Sequence, residues 1–307
     1  MKIFFENVNL HSTSGPNSFA AKLITELIKD DCEIAPNHGS ADVRLCFIES
    51  HHHKMYSQAP LIQRLDGIYF NKSQNYLEQN RNIKRTYKMS DGVVFQSNFN
   101  KELIFRYFGP HDNYQIIHNG ADTNTISSVP ALMNNFFSKY NNVWTCASSW
   151  RPHKRLNENV RYFLEHADAE DCLVVAGIPD QDLPDDPRII RVGFASPRQL
   201  LSLYKISKYF IHLAWLDHCP NVVVDARAAG CKIICSSTGG TKEIAGLDAI
   251  VIEEDEWNFE PVELYNPPSM DFNKKINNQY DSVYNMSVVG EKYKNFMSSV
   301  INESLCR

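Results

Sequence analysis

The segment CKIICSSTGGTKEIAG, residues 231–246, joins a short apolar run to two adjacent glycines. The run CKIICS is typical of a buried strand, and the residues after Gly239 and Gly240 are typical of a helix start. Glycine lets a backbone approach a ligand closely, and amide groups at a helix start attract anions. The loop therefore predicts an anion site, although a tight strand-to-helix turn would use the same residues.

Strand and helix patterns alternate on both sides of this segment. In the first half the strand candidates are MKIFFENV, DVRLCFIES, PLIQRLDG and GVVFQS. A second series runs through NVWTCASS, CLVVAG, RIIRVGF and KYFIHLAWL. Strands separated by helices of roughly ten residues predict parallel sheets with right-handed crossovers. We therefore predict an α/β protein with two Rossmann-like, doubly wound domains that face a central cleft, with ligands at the carboxyl ends of the strands.

The second series sets the predicted domain limits. Residues 1–135 form the first domain and residues 136–280 the second, with the weakly periodic segment TNTISSVPALMNNFFSKYN as a linker between the two series. Residues 281–307 are helical by pattern and too polar for a core. We expect this last helix to pack back on the first domain.

Composition excludes several classes of protein. At 307 residues the chain exceeds what one core usually supports, and a net charge of -5 argues against a strongly basic nucleic-acid binder. The eight cysteines include no CxxC pair, which favours a reducing compartment. The start of the chain lacks a signal-peptide pattern and no apolar run could span a bilayer, so we expect a cytoplasmic protein.

Two acidic residues stand eight positions apart in LDHCPNVVVDARAAG. Asp217 lies in a loop, and Asp225 lies about one turn into a helix that begins near Asn221 and Val222. Burying a carboxylate among the apolar neighbours of Asp225 is costly unless a partner donates hydrogen bonds to it. Ligand hydroxyl groups would supply them, and so would Arg227 or a loop amide.

Three cations crowd the turn SSWRPHKRLNE, directly after the first strand of the second half. Arg151, Lys154 and Arg155 at a strand end suit a diphosphate group. Taken alone, the same residues are better explained as a solvated charge run, which needs no ligand.

The order of these motifs resembles one family. From about Met89 to Ile250 the chain is similar to the group 1 retaining nucleotide-sugar glycosyltransferases, which have the GT-B fold. The similarity rests on DGVVFQSNFNKELIFRYFG, IIHNGAD, SSWRPHKRL, LVVAG, NVVVDARAAG and STGGTKEI, with a weaker match at STSGPNSFAAKL.

The resemblance implies a role for each candidate residue. Asp217 would bind hydroxyl groups of the donor sugar, and Asp225 the ribose. Arg151 and Lys154 would neutralise the diphosphate, and amides near Gly15 would approach the phosphates from the other side. It also implies transfer with retention from a nucleotide-diphosphate sugar, with no required metal or other cofactor.

The chain departs from the family pattern in several places. In the family both acidic residues are usually glutamate. The shorter aspartates of this chain indicate a different sugar-binding geometry or a smaller donor. Lys154 and Arg155 both fit the lysine position, because the usual interval from the arginine is longer. Where the family often has a histidine, this chain has Arg64 and Asp66. We expect Asp66 to orient the acceptor or to stabilise positive charge at the anomeric carbon.

Other readings of the sequence stay open. A nucleotide-sugar epimerase of the same fold and a non-catalytic sugar-nucleotide binding protein remain alternatives, whereas a dinucleotide-binding dehydrogenase is disfavoured because no GxGxxG follows the first strand of either half. The acceptor is open as well: a glycan, a lipid-linked sugar or a hydroxylated nucleobase in DNA.

Three weaker motifs complete the sequence reading. The histidine run at 51–53 and the DQD at 180–182 are interpreted as surface loops rather than metal sites. A basic helical face is a candidate for contact with anionic lipid or another polyanion, and it comprises Arg81, Lys84, Arg85 and Lys88.

Overall fold

The computed structural model describes residues 1–51, 58–179 and 181–306. The chain forms two compact units. The first contains Met1–Gly120, Phe259–Val262 and the chain from Val283 onward, and the second contains Ala121–Asn258 and Glu263–Ser282. Compactness does not establish independent folding, so the domain limits of 1–135, 136–280 and 281–307 stay a prediction.

The first unit is built on a six-stranded sheet in the order β2-β1-β3-β4-β5-β6, and every pairing in it is parallel. Its strands are β1 (Lys2–Glu6), β2 (Glu33–Ile34), β3 (Val43–Phe47), β4 (Leu61–Leu65), β5 (Gly92–Phe95) and β6 (Tyr114–Ile116). Its helices are α1 (Gly15–Lys29), α2 (Tyr76–Gln79), α3 (Arg81–Met89), α4 (Asn98–Phe108) and the last helix, α10 (Met286–Leu305).

The second unit has a seven-stranded sheet in the order β13-β12-β11-β10-β7-β8-β9. Its strands are β7 (Val143–Ala147), β8 (Cys172–Ala176), β9 (Ile189–Gly193), β10 (Ser207–His212), β11 (Lys232–Ser236), β12 (Ile250–Ile252) and β13 (Lys275–Asn277). Its helices are α5 (Thr123–Ser128), α6 (Leu156–His166), α7 (Pro197–Tyr204), α8 (Asn221–Ala228) and α9 (Thr241–Ile244). All pairings are parallel except that of β12 with the edge strand β13.

The predicted α/β class with two parallel-dominated sheets is confirmed. The expected linker, by contrast, is not structureless: α5 occupies its first part, with Asp122 accepting a hydrogen bond from the Thr125 N–H as the helix cap. Helix α5 is too short and too mixed in polarity to show the periodic pattern of apolar residues from which a helix is predicted.

The last helix completes the core of the first unit. Phe19, Leu23 and Leu27 form a buried stripe on α1, and the core that contains this stripe also contains buried residues of α10. Those residues are Met286, Val289, Tyr293, Phe296, Met297 and Val300. The expectation that this helix is too polar for a core was therefore wrong, because its apolar residues lie on one face while the polar ones dominate the composition.

Gly92 marks a close approach between β5 and α10. A Cβ added at Gly92 would lie 2.9 Å from the Phe296 ring and 3.0 Å from the Val300 side chain. We expect Gly92→Ala to lower the free energy of unfolding by about 1–3 kcal/mol through overpacking. Urea unfolding followed by circular dichroism measures the loss. Gly39→Ala is the control, since the nearest atom to its new Cβ is 3.4 Å away, and equal losses in the two variants would contradict the packing argument.

Candidate functional site

The candidate donor site lies at the carboxyl edge of the second sheet. Strands β12, β11, β10 and β7 are neighbours, and the residues that follow them are Glu254, the Gly239–Gly240 pair, Asp217 and the turn 151–155. Carboxyl ends of parallel strands meet at the same edge of a sheet. The sequence motifs are therefore brought together by sheet order.

Asp217 is the centre of this site. Its Oδ2 accepts hydrogen bonds from Lys154 Nζ at 2.5 Å and from His212 Nε2 at 2.8 Å. Its Oδ1 accepts from the main-chain N–H of His218 at 3.0 Å. We refer to Lys154, His212 and Asp217 as the Asp217 cluster. It places two of the predicted site residues in contact and adds His212, which the sequence analysis did not include.

The electrostatics of the cluster favour an ionised Asp217. Burial alone would raise the pKa of this carboxyl, but the charge of Lys154 and the hydrogen bond from His212 outweigh it and hold the pKa well below its usual value. Burial lowers the pKa of His212, with the Lys154 charge acting in the same direction. Asp217 therefore carries its negative charge across the ordinary pH range.

The glycine pair contacts the main chain of Asp217. Gly239 has φ +81°, and a Cβ at this position would lie 2.6 Å from the Asp217 carbonyl oxygen. The Gly240 N–H donates to that carbonyl oxygen at 2.7 Å. The expected open anion site at these amides is therefore corrected for Gly240, whose N–H is already occupied. The loop holds the main chain of Asp217 in place.

Arg155 is buried inside the second unit and stabilises its fold. Its guanidinium is buried and forms two hydrogen bonds with Glu254, at 2.7 and 3.0 Å, and one with the Pro268 carbonyl at 2.8 Å. Glu254 also accepts from the hydroxyl groups of Ser236 and Thr238. This corrects the expectation that Arg155 competes with Lys154 for a diphosphate, because the guanidinium is buried and already paired with Glu254.

Arg151 is the exposed cation of the turn. It precedes the short 3₁₀ turn Pro152–Lys154 and forms no ion pair within residues 1–51, 58–179 and 181–306. Beside it, His153 stacks on Tyr265 with ring centroids 5.7 Å apart. Burial lowers the pKa of His153 to about 3, and the neighbouring Lys154 charge adds to this effect. Arg151 and Lys154 are therefore the cations of the turn that an anionic ligand can reach.

Asp225 lies on α8 as the sequence predicted, about one turn after Asn221 and Val222. All three residues are only partly buried. Burial raises the pKa of Tyr204 strongly, and the charge of Asp225 adds to the rise, which places this carboxylate near the buried phenol. Arg227 donates to Asp281 at 3.1 Å and to the Ser282 carbonyl at 2.9 Å.

In the first unit, Asp66 belongs to a polar network at the carboxyl edge of the first sheet. Asp66 Oδ1 accepts from the Arg64 guanidinium and from Gln96 Nε2, the latter at 2.7 Å. Arg64 is buried and donates to Asn119 Oδ1 at 2.8 Å and to the Tyr293 hydroxyl at 3.0 Å.

The second oxygen of Asp66 is different from the first. Oδ2 is buried and accepts no hydrogen bond from any residue within 1–51, 58–179 and 181–306. Burial raises the pKa of Asp66 despite the opposing Arg64 charge. A carboxylate oxygen in this state favours a hydrogen-bond donor as its partner.

The remaining predicted residues are placed as follows. Gly15 is the first residue of α1 and is exposed. The basic face of α3 is not one exposed patch, because Lys84 donates to the Tyr107 carbonyl and Arg85 to the Ser50 carbonyl. Arg81 and Lys88 stay exposed, and Arg81 pairs with Glu78.

Two motifs fall partly outside the described residues. His52 and His53 of the histidine run and Asp180 of the DQD motif lie there. Within the ranges that are described, no group of three or more His, Cys, Asp or Glu residues is arranged to hold a metal ion. In the same ranges, no helix is both long and apolar enough to cross a bilayer.

Sequence reasoning missed His212 and Glu254. Each is a polar residue at or just after the carboxyl end of an apolar strand, in KYFIHL and AIVIEE. That position is itself a signal, because site residues of parallel sheets collect at this edge.

Comparison with solved structures finds the same fold in other proteins. HepE of Anabaena, in complex with UDP and glucose, aligns with a TM-score of 0.69 at 14% identity, over 97% of this chain and 100% of that one. Sucrose-phosphate synthase from Thermosynechococcus elongatus aligns with a TM-score of 0.68 at 10% identity, over 98% and 99%. The catalytic domain of starch synthase IV from Arabidopsis thaliana, bound to ADP and acarbose, aligns with a TM-score of 0.60 at 11% identity, over 92% and 76%.

No model of a protein family and no curated protein matches the sequence. The structural likeness extends over nearly the whole chain, and at these identities it establishes the fold alone. The predicted GT-B fold class is thereby confirmed.

The Arg155–Glu254 pair predicts a large stability effect. Glu254→Ala leaves the buried guanidinium without its counter-charge, so we expect a loss of about 3–5 kcal/mol in the free energy of unfolding. Urea unfolding measures it. The control is Asp186→Ala, which removes a partly exposed pair with Arg188 and should cost about 1 kcal/mol or less. Similar losses for the two pairs would show that burial of Arg155 does not matter.

His153 predicts acid sensitivity. Its folded-state pKa is about 3, against roughly 6.5 for an unfolded histidine. At pH values between these two pKa values, His153 is protonated in the unfolded chain but not in the folded protein. The free energy of unfolding therefore decreases as the pH falls from about 6.5 towards 3. His153→Phe should reduce this loss and leave the slope above pH 7 unchanged. Part of the acid-induced loss of stability remains in this variant, because burial also lowers the pKa of His218, to about 4.

The measurement is the urea midpoint at several pH values. His11→Phe serves as the control because His11 is exposed and lies in the other unit. An unchanged acid slope in His153→Phe would contradict the assignment.

Proposed function

We propose that this protein is a glycosyltransferase that uses a nucleotide-diphosphate sugar and binds it at the carboxyl edge of the second sheet. The observation that carries the proposal is the Asp217 cluster next to the exposed Arg151, which places two cations and an ionised carboxylate at one strand edge. Support also comes from the fold, since HepE has been solved with UDP and UDP-glucose.

Different residues of the site bind different parts of the donor. Arg151 and Lys154 bind the diphosphate and stabilise the charge that grows on it as the sugar leaves. Asp217 and Asp225 are ligands for hydroxyl groups of the sugar and the ribose, and the start of α8 at Asn221 and Val222 favours a negative group. The main contribution of the protein is electrostatic, so no metal is needed in this scheme.

The first unit supplies the acceptor side. Asp66 Oδ2, buried at the strand edge, is suited to accept a hydrogen bond from the acceptor hydroxyl. We propose the amides near Gly15, at the start of α1, as a phosphate-binding element of this unit. We propose transfer with retention, in which the leaving diphosphate helps to deprotonate that hydroxyl. The acceptor is a hydroxyl of a glycan, a lipid-linked sugar or a modified nucleobase.

None of the eight cysteines forms a disulfide, and seven of them are buried. Free thiols are typical of a reducing compartment. We therefore propose that the reaction takes place in the cytoplasm.

The test begins with binding. Melting temperature is measured against uridine, guanosine, adenosine and cytidine diphosphates, each with and without Mg²⁺. A ligand at about 100 times its Kd adds roughly 2.7 kcal/mol, which shifts the melting temperature by several degrees. We expect one base to stand out, and Arg151→Ala and Asp225→Ala to abolish its shift. Lys208→Ala is the control, because Lys208 is exposed near the amino end of β10, at the opposite edge of the sheet.

The reaction is then tested with the matching nucleotide sugars. A transferase releases the diphosphate slowly alone and quickly with an acceptor. An epimerase yields a new nucleotide sugar, and a binding protein yields neither. No shift with any diphosphate or intact donor would overturn the proposal.

A further inference from the structure

His212 and Lys154 share one oxygen atom of Asp217. Both donate to Oδ2, and Oδ1 accepts only a main-chain N–H from the same loop among the contacts of the described residues. An ionised carboxylate is purely an acceptor, so Nε2 of His212 carries the hydrogen. If Lys154 moves away, His212 is the side-chain donor that stays on Asp217.

The two donors differ in rigidity. His212 is the last residue of β10, is 3% exposed, and lies opposite Cys235 in the parallel pairing with β11. Lys154 lies on a short 3₁₀ turn and reaches Asp217 through a flexible four-carbon chain that is 19% exposed. The histidine is therefore fixed by the sheet, whereas the lysine can exchange partners.

A diphosphate makes that exchange favourable. It carries more negative charge than one carboxylate and would compete for the Lys154 ammonium group. Asp217 is largely buried, with 13% of its side chain exposed, and a buried carboxylate without donors is costly. A hydrogen bond to a charged group is stronger than one between neutral groups, so the remaining donor decides whether Asp217 keeps its place.

We propose that His212 is a positioning residue that holds the Asp217 carboxylate in place when the donor diphosphate draws Lys154 away, a role that rests on the function proposed above. The charged groups that act on His212 are Asp217 and Lys154, and Cys235 lies opposite it in the sheet.

The experiment compares wild type, His212→Leu and His212→Gln by calorimetric titration with UDP and with UDP-glucose. In His212→Leu, the affinity for UDP falls roughly tenfold or more, because the diphosphate then takes Lys154 from a carboxylate that has no other side-chain donor. The affinity for UDP-glucose falls as well, since it carries the same diphosphate. His212→Gln restores most of the loss, since its amide nitrogen can replace Nε2 as a donor. No weakening of UDP binding in His212→Leu, or no recovery in His212→Gln, overturns the role.

A ligand-free arm separates this proposal from the function itself. Lys154→Met imitates the departure of the lysine. His212→Leu should then lower the melting temperature by more in the Lys154→Met background than in the native one. Equal decrements overturn the proposal whatever the protein binds. A wild type that binds none of the diphosphates overturns the proposed function, while the ligand-free arm still decides whether His212 takes over from Lys154.

Discussion

A carboxylate can be buried only if donors offset the loss of water, and the carboxyl edge of the second sheet is organised around this condition at Asp217. Its carboxylate receives a lysine, a histidine and a main-chain amide, and its carbonyl receives Gly240. These donors come from separate turns and strands. The geometry of the edge is thus fixed by one acidic side chain and its loop.

The same edge contains a second ion pair, between Arg155 and Glu254, and both side chains of this pair are buried. Arg155 and Glu254 form two hydrogen bonds inside the unit, and the hydroxyl groups of Ser236 and Thr238 also donate to Glu254. Lys154 and Arg155 are adjacent in the sequence, but Lys154 is partly exposed and Arg155 is buried. Arg155 is buried and links the ends of three strands through Glu254 and Ser236. Lys154 keeps a partner that it can give up.

The sequence was sufficient for the fold class, because short apolar runs separated by helices predict parallel sheets. It also placed Asp217 and Lys154 together, since each follows a strand of one parallel sheet. It could not separate Arg155 from Lys154, because burial depends on Glu254, which lies 99 positions away along the chain. For Gly239, a close approach was anticipated, but the partner proved to be the protein's own main chain.

The placement of α10 has a consequence for synthesis of the chain. The first unit takes most of its residues from the amino-terminal part, yet its core includes Tyr293, Phe296 and Val300, which follow the whole of the second unit in the sequence. During translation the first sheet emerges before this helix exists, so its surface beside α1 stays uncovered until the residues of α10 have been made. The second unit, whose residues all precede α10 in the sequence, can therefore reach its native state before the core of the first unit is complete.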